Sequence, residues 1–343
     1  MIRVSSSIGV AMGANRRNLL HRTFSPTLRR ALNGLALALT VSALALAVPA
    51  CGAPGVGTTP TPRVLRGVAY GPLAAQTLDI RLPAGSGPFP VIVYLHSGGW
   101  TTGDHRYVPD FLLDQVARGF AVVSADYRLA GTAADGTPVH DFPTPDEDVD
   151  RAVRFVRAHA GDWSIDPNRI VLAGASAGGQ LALLAAAAPG RFVATDLPAT
   201  LRAVSPGVQG VMAFVAPSDL ATMAGEDNEM AQDSLAAYLG CPAGNAHRCS
   251  PELLRAASPT TYLGTGAPPA YLAYGLTDTL VPAATQGIPL AGQWAAARGE
   301  TLTDPGADVV LELAHAGHNL DLTNFDHTTM EAWLDAVTGA PRG

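Results

Sequence analysis

Arg169-Ile170-Val171-Leu172-Ala173-Gly174-Ala175-Ser176-Ala177-Gly178-Gly179-Gln180-Leu181-Ala182-Leu183-Leu184-Ala185-Ala186-Ala187-Ala188 begins as one kind of structure and ends as another. The run Ile170 to Ala173 is continuously apolar, as a strand covered on both faces must be. From Gln180 onward Ala and Leu dominate, and a helix is expected. Gly174 to Gly179 therefore lie at a strand-to-helix turn. A serine flanked by glycines suits such a turn, because side chains beside it would not fit and the strain lifts the Ser176 hydroxyl clear of the sheet.

The alternation of short apolar runs with helical stretches continues from Val64 onward. It predicts an α/β fold, with a mostly parallel eight-stranded sheet and helices on both faces. Strands are expected at Leu65 to Tyr70, Thr77 to Leu82, Val91 to Leu95, Ala121 to Ala125, Ile170 to Ala173, Gly210 to Phe214, Ala270 to Tyr274 and Val309 to Leu313. The first two alternate in polarity and predict an antiparallel edge. The clearest helix start is Thr144-Pro145-Asp146-Glu147, where Thr144 reads as the N-cap of a capping box and Pro145 as the first helical residue. Val149, Ala152, Val153 and Val156 supply its apolar stripe. The acids between Asp141 and Asp150 suit the positive end of that helix dipole, which leaves no need for a metal site there. Residues 216–265 fit the alternation poorly and are expected to form a small cap insertion over the sheet.

A serine hydroxyl becomes a nucleophile when a base removes its proton, and the base needs a carboxylate to fix its tautomer. In a parallel sheet these partners belong at the carboxyl ends of strands. Asp278, in Tyr274-Gly275-Leu276-Thr277-Asp278, follows one strand, and His318, in Ala314-His315-Ala316-Gly317-His318, follows the next. The order serine, then acid, then histidine is the one known for serine turns of this strand-to-helix kind on a parallel α/β sheet. His315 abuts its strand and lacks the preceding glycine that frees a loop to reach back. Asp304 and Asp308 precede their strand and belong at the wrong end. No further ligand cluster accompanies His315 and His318, so no metal is assigned. A tetrahedral intermediate also needs N–H donors at its oxyanion. His96-Ser97-Gly98-Gly99-Trp100 closes an apolar strand with two consecutive glycines, and the donors are assigned to the N–H groups of Gly98, Gly99 and Ala177. His96 is expected to brace this loop rather than serve as a second base.

His96 to Trp100, Asp126-Tyr127-Arg128-Leu129, Phe142-Pro143 with Asp148-Val149, Ile165 to Ile170, the serine turn, Asp278 and His318 occur in the order seen in carboxylesterases of the α/β-hydrolase fold. The chain resembles the branch that includes hormone-sensitive-lipase-like esterases and the feruloyl/acetyl-xylan esterase group, over about Val64 to Leu334. The resemblance implies a serine carboxylesterase acting on small or short-acyl esters through an acyl-enzyme. Ser176, Asp278 and His318 are then catalytic, Gly98, Gly99 and Ala177 form the oxyanion hole, and no cofactor is needed. Ser97 stands where the lipase-like branch usually has the first of three glycines, and Ala175 where it commonly has an acid. Both departures tilt toward the second group. A peptidase of the prolyl-oligopeptidase type shares the triad order but usually carries a large extra domain. A catalytically silent surface binding protein of the same fold is opposed by the intact set of three residues.

The remaining readings concern compartment and partners. The first 50 residues hold six arginines and no acid, and end with an apolar run from Leu35 to Val48. That run is shorter than the ~20 residues of a membrane span and is followed by small residues, so residues 1–50 read as an export signal. Met12 is a candidate alternative start, and Arg29-Arg30 a weak twin-arginine feature. Of three cysteines, Cys241 and Cys249 lie close together in a polar stretch and are expected to form a disulfide in an exported protein. Val48-Pro49-Ala50-Cys51 resembles a bacterial lipoprotein box, which would make Cys51 a lipidated first residue attaching the protein to a membrane; secretion without the anchor is the alternative. Residues 51–63 then form a flexible tether before the catalytic domain, 64–343. Without the first 50 residues, 16 arginines face 29 acids, a net charge of −13. Such a surface repels phosphate, which excludes nucleic acid as a partner and leaves a small-molecule ester as the expected one. Oligomeric state is not legible.

Overall fold

Eight apolar runs become strands at or near the expected positions, and a ninth joins them from the chain start. The computed structural model describes residues 1–5, 61–241, 245–304, 306–318 and 325–339. Its main sheet contains β1 (Ile2–Ser5), β2 (Arg63–Ala69), β3 (Thr77–Leu82), β4 (Phe89–Leu95), β5 (Ala121–Ala125), β6 (Ile165–Ala175), β7 (Gly210–Phe214), β8 (Ala270–Gly275) and β9 (Val309–Ala314). Their order across the sheet is β1-β9-β8-β7-β6-β4-β5-β3-β2. β3 runs antiparallel to both β2 and β5, and every other pair is parallel.

The count of nine corrects the expected eight. Ile2–Ser5 pairs in parallel with β9, and the Met1 ammonium donates to the Val309 carbonyl at 2.5 Å. Four residues are too few to display a period, while the flank of β9 that they cover would otherwise be an open hydrogen-bonding edge. Residues 6–60, which include the rest of the proposed export signal, Cys51 and all but the end of the proposed tether, lie outside the described residues.

The central strands are buried on both faces, and the pleat divides their side chains between two cores. Val91, Val93 and Leu95 of β4 enter one core, while Ile92 and Tyr94 enter the other. The first core is closed by α1 (Thr144–Ala158) and α2 (Ala177–Ala187) together with the later helix Ile288–Ala297. The second is closed by Phe111, Leu112 and the helix His327–Thr338. Each fully buried aliphatic side chain contributes about 1.5–3 kcal/mol, so this two-sided burial dominates the stability of the sheet.

The start of α1 departs from the expected capping box. Pro143 is the N-cap, Thr144 is already helical, and no side chain caps the turn. The Glu147 N–H instead donates to the Pro143 carbonyl at 2.9 Å. The acids of this helix do more than face its dipole: Asp146, Asp148 and Asp150 are all buried. Asp148 accepts from Arg128 Nε and Nη2, both at 2.8 Å, and from Gln76 Nε2 at 2.7 Å, while Asp150 pairs with Arg154 at 2.7 Å. Buried carboxylates need such partners, and the partners lie on loops beside other strands or a turn further along the helix.

Between β7 and β8 the chain forms α3 (Leu220–Ala224), α4 (Glu229–Leu239) and α5 (Pro251–Ala256). Each has a side-chain cap, from Asp219, Asn228 and Ser250 respectively. Cys241 and Cys249 form a disulfide just after α4.

Candidate active site

β6 ends at Ala175, and the next residue turns the chain. Ser176 has φ 51° and ψ −120°, a conformation that only surrounding structure can hold in a non-glycine residue. The glycines around it are needed because backbone packs on backbone. A Cβ on Gly174 would lie 2.1 Å from the Gly178 carbonyl oxygen, and one on Gly178 would lie 2.2 Å from the Leu95 carbonyl oxygen. Ser176 is thereby set above β4 and β7, its N–H donating to Phe214 O at 2.8 Å.

β8 and β9 are parallel neighbours, with Gly275 opposite Ala314, so their following loops leave the sheet side by side. The loops are tied together: Leu276 N–H donates to Ala314 O at 2.8 Å and Thr277 N–H to Ala316 O at 3.1 Å. Gly275 permits this crossing, since a Cβ there would sit 2.3 Å from Ala316 O. Asp278 is thus delivered to His318. Its Oδ1 accepts from the N–H groups of Leu280 and Val281 at 2.8 and 2.9 Å. Its Oδ2 lies 2.7 Å from His318 Nδ1. A carboxylate only accepts, so Nδ1 carries the proton and Nε2 presents its lone pair to Ser176 Oγ, 2.9 Å away. The Ser176 hydroxyl donates along that line. The arrangement can move the serine proton to imidazole while a buried carboxylate faces the charge that forms.

The peptide planes of the glycine loop are turned by their carbonyls. Gly98 O accepts from the Thr101 and Thr102 N–H groups at 3.1 and 3.0 Å and from Thr102 Oγ1 at 3.0 Å. In a trans peptide the Gly99 N–H then points the opposite way. Ser97 O faces His96 Nδ1 at 2.8 Å, which turns the Gly98 N–H likewise. Ser176 O accepts from the Gln180 N–H at 3.0 Å, so the Ala177 N–H leaves the open start of α2, where no earlier carbonyl of the helix can take it. Gly98 and Gly99 have φ of 129° and 57°, and a Cβ on Gly98 would strike Thr102 O at 2.0 Å.

His96 is buried, stacks on Tyr127 at 4.3 Å and holds the loop through Ser97. Burial pushes its imidazole below the ordinary histidine value. His315 is exposed one residue past β9 and takes no part in the serine contact. Asp308 pairs with Arg298, and Asp304 bonds Thr301, both at the far end of β9. Among the described residues, no three His, Cys, Asp or Glu side chains are placed to hold a metal ion.

Ser176 and His318 open onto a cavity of about 330 Å³. The glycine loop, Ser97 to Thr102, forms one wall. Pro217, Met223, Met230, Ala231 and Ser234 form a second, and Leu280 and Val281 close it. The second wall comes from within residues 216–265, with α4 supplying Met230, Ala231 and Ser234. Beyond the glycine loop, Ser176 and His318, the residues lining this cavity are not singled out by the sequence alone. The spacing of Met230, Ala231 and Ser234, at i, i+1 and i+4 of one helix, was the available signal.

The BD-FAE family profile matches residues 78–291. The chain is 32% identical over 247 residues to the probable carboxylic ester hydrolase LipM of Mycobacterium tuberculosis, covering 66% of this chain and 54% of that protein. It is 30% identical over 279 residues to the esterase LipQ of the same organism, covering 77% of this chain and 59% of LipQ. The chain therefore spans only 54% and 59% of the lengths of these two relatives. A solved truncated form of a carbohydrate esterase from gut microbiota superposes with a TM-score of 0.68 at 22% identity, over 83% of this chain and 99% of that one. That likeness speaks to the α/β-hydrolase fold alone. The profile match takes in more than half of the chain, from β3 through the serine turn to the helix after β8, and the chain belongs to the BD-FAE family.

Proposed function

We propose that this protein is a serine carboxylesterase acting on small or short-acyl esters. One observation carries the reading: a single imidazole, His318, lies within hydrogen-bond distance of both the Ser176 hydroxyl and the Asp278 carboxylate. Ser176 Oγ attacks the ester carbonyl carbon as its proton passes to His318 Nε2, and Asp278 stabilises the imidazolium. The N–H groups of Gly98, Gly99 and Ala177 hold the oxyanion. Collapse of the tetrahedral intermediate breaks the bond to the alcohol oxygen, which takes the proton from His318. Water, deprotonated by the same nitrogen, then releases the acid and restores Ser176.

The apolar lining by Met223, Ala231, Leu280 and Val281, in a cavity of about 330 Å³, supports a short acyl group. The naming of LipM and LipQ as ester hydrolases, and of one structural neighbour as a carbohydrate esterase, supports the reaction class and suggests acylated sugars for a substrate screen. Purified protein is expected to hydrolyse 4-nitrophenyl acetate and butyrate faster than the octanoate, and Ser176→Ala to lose about 10⁴-fold or more in kcat. Absence of turnover by the wild type across the series, or undiminished turnover by the variant, refutes the reading.

Export is proposed on the same footing. Residues 1–50 act as the signal and Cys51 becomes a lipidated N-terminus, so β1 (Ile2–Ser5) leaves with the signal and the mature sheet keeps the eight strands β2–β9; the arginine-rich, acid-free leader and the Val48-Pro49-Ala50-Cys51 box support this reading. Intact mass of the mature protein is expected to show a diacylglycerol-bearing Cys51, and an unmodified N-terminus would leave simple secretion.

A further inference from the structure

The glycine loop is held from behind by side chains that the triad does not use. Trp100, the residue after Gly99, is 1% exposed and has φ 60°. Its indole Nε1 donates to Gln180 Oε1 at 2.8 Å, and its ring stacks on Tyr238 at 4.6 Å. Gln180 Nε2 donates to Tyr238 Oη at 3.2 Å and to Ala257 O at 2.9 Å. Tyr238 Oη donates to Asp146 Oδ2 at 2.8 Å. All four side chains are buried.

The direction of the first two bonds of this chain is forced. An indole nitrogen only donates, so Gln180 must turn its oxygen to Trp100 and its amide nitrogen to Tyr238. The Tyr238 hydroxyl, which accepts there, donates in turn to Asp146 Oδ2, where the chain ends. Four segments meet in it: the glycine loop, the nucleophile helix α2, the cap helix α4 and the first turn of α1. Gln180 also lies one helical turn from the nucleophile, its N–H bonded to Ser176 O at 3.0 Å.

We propose that Gln180, Tyr238 and Asp146 are positioning residues, a buried hydrogen-bonded relay that sets the Gly98 and Gly99 N–H groups in register with Ser176. The inference rests on the esterase reading above. Apolar packing alone would bury Trp100 as well, but it would not choose one height of the loop over the serine turn. Three directional bonds in series do. Donors at an oxyanion are effective only when aimed in advance at where charge develops, so loosening the relay should weaken the transition state more than the bound substrate.

Tyr238→Phe isolates the effect, because the ring stack on Trp100 remains and one hydroxyl is lost. With 4-nitrophenyl acetate, kcat is expected to fall about 3- to 10-fold with KM within about two-fold of wild type. The affinity for phenylboronic acid, which forms a tetrahedral adduct on an activated serine, should fall by the same factor. Asp146→Asn, which keeps an oxygen for the Tyr238 hydroxyl, should recover most of what Asp146→Leu loses. A folded Tyr238→Phe with unchanged kcat and unchanged boronate affinity overturns the proposal, whatever its melting temperature. Trp100→Phe, which keeps a ring and removes the indole N–H, gives the same comparison if Tyr238→Phe does not fold. Should the wild type hydrolyse no ester, the rate at which a fluorophosphonate labels Ser176 in wild type and variant still decides the relay, separately from the esterase reading.

Discussion

Asp278 holds the backbone with one oxygen and His318 with the other, and this division assigns the imidazole tautomer. Asp278→Asn can keep Oδ1 on the Leu280 and Val281 N–H groups while its amide nitrogen faces His318. Nδ1 must then accept, the proton moves to Nε2, and the base can no longer take the serine proton. A loss of about 10⁴-fold in kcat with little change in the urea midpoint is expected, measured by single-turnover hydrolysis beside equilibrium unfolding. Gly275→Ala tests the crossing of the two loops. Its Cβ would fall 2.3 Å from Ala316 O, a backbone atom with no free rotation, so a stability loss of about 1–3 kcal/mol should accompany reduced activity. At this scale the chain was informative. Asp278 and His318 could be chosen over Asp304, Asp308 and His315 because position relative to a strand end is itself a spatial statement.

At the level of elements, α1 shows what periodicity conveys and what it omits. Val149, Val153 and Val156 are buried as their spacing requires. The same spacing does not reveal what the acids beside them meet. Burial pushes Asp146 up to about 8, against the opposing hydrogen bond from Tyr238. The folded protein therefore keeps a proton that the unfolded chain releases near 3.8. By linkage this group's contribution to stability is complete below that lower value, declines as pH rises, and is lost above about 8. Asp146→Asn should be less sensitive to the step from pH 5 to pH 9 than the wild type, as read by urea midpoints at both values. In the cap, the Cys241–Cys249 disulfide closes a loop with a separation of 8 residues. Opening it with Cys241→Ser/Cys249→Ser should cost about 2–3 kcal/mol on the chain-entropy account, measured by unfolding without reductant.

Across the whole molecule, the parallel arrangement of β4, β6, β7, β8 and β9 sends their carboxyl ends to one rim, and Ser176 and His318 meet there across 142 positions of chain. Leu272, fully buried in β8 between β7 and β9, supports that rim from a distance. Leu272→Ala should cost about 2–5 kcal/mol while kcat well below the melting temperature stays near wild type, as read by paired calorimetry and kinetics. The eight longer strands, the serine turn and the acid-then-base order were legible before any coordinates, because each is written locally: apolar runs of strand length, glycines at a sharp turn, loops following strands. The ninth strand, the inward turn of Asp146, Asp148 and Asp150, the cap residues around the cavity and the path from Trp100 to Asp146 came only with the folded chain. A local pattern states which side of a residue is buried, but its partner there is set by where distant segments come to rest.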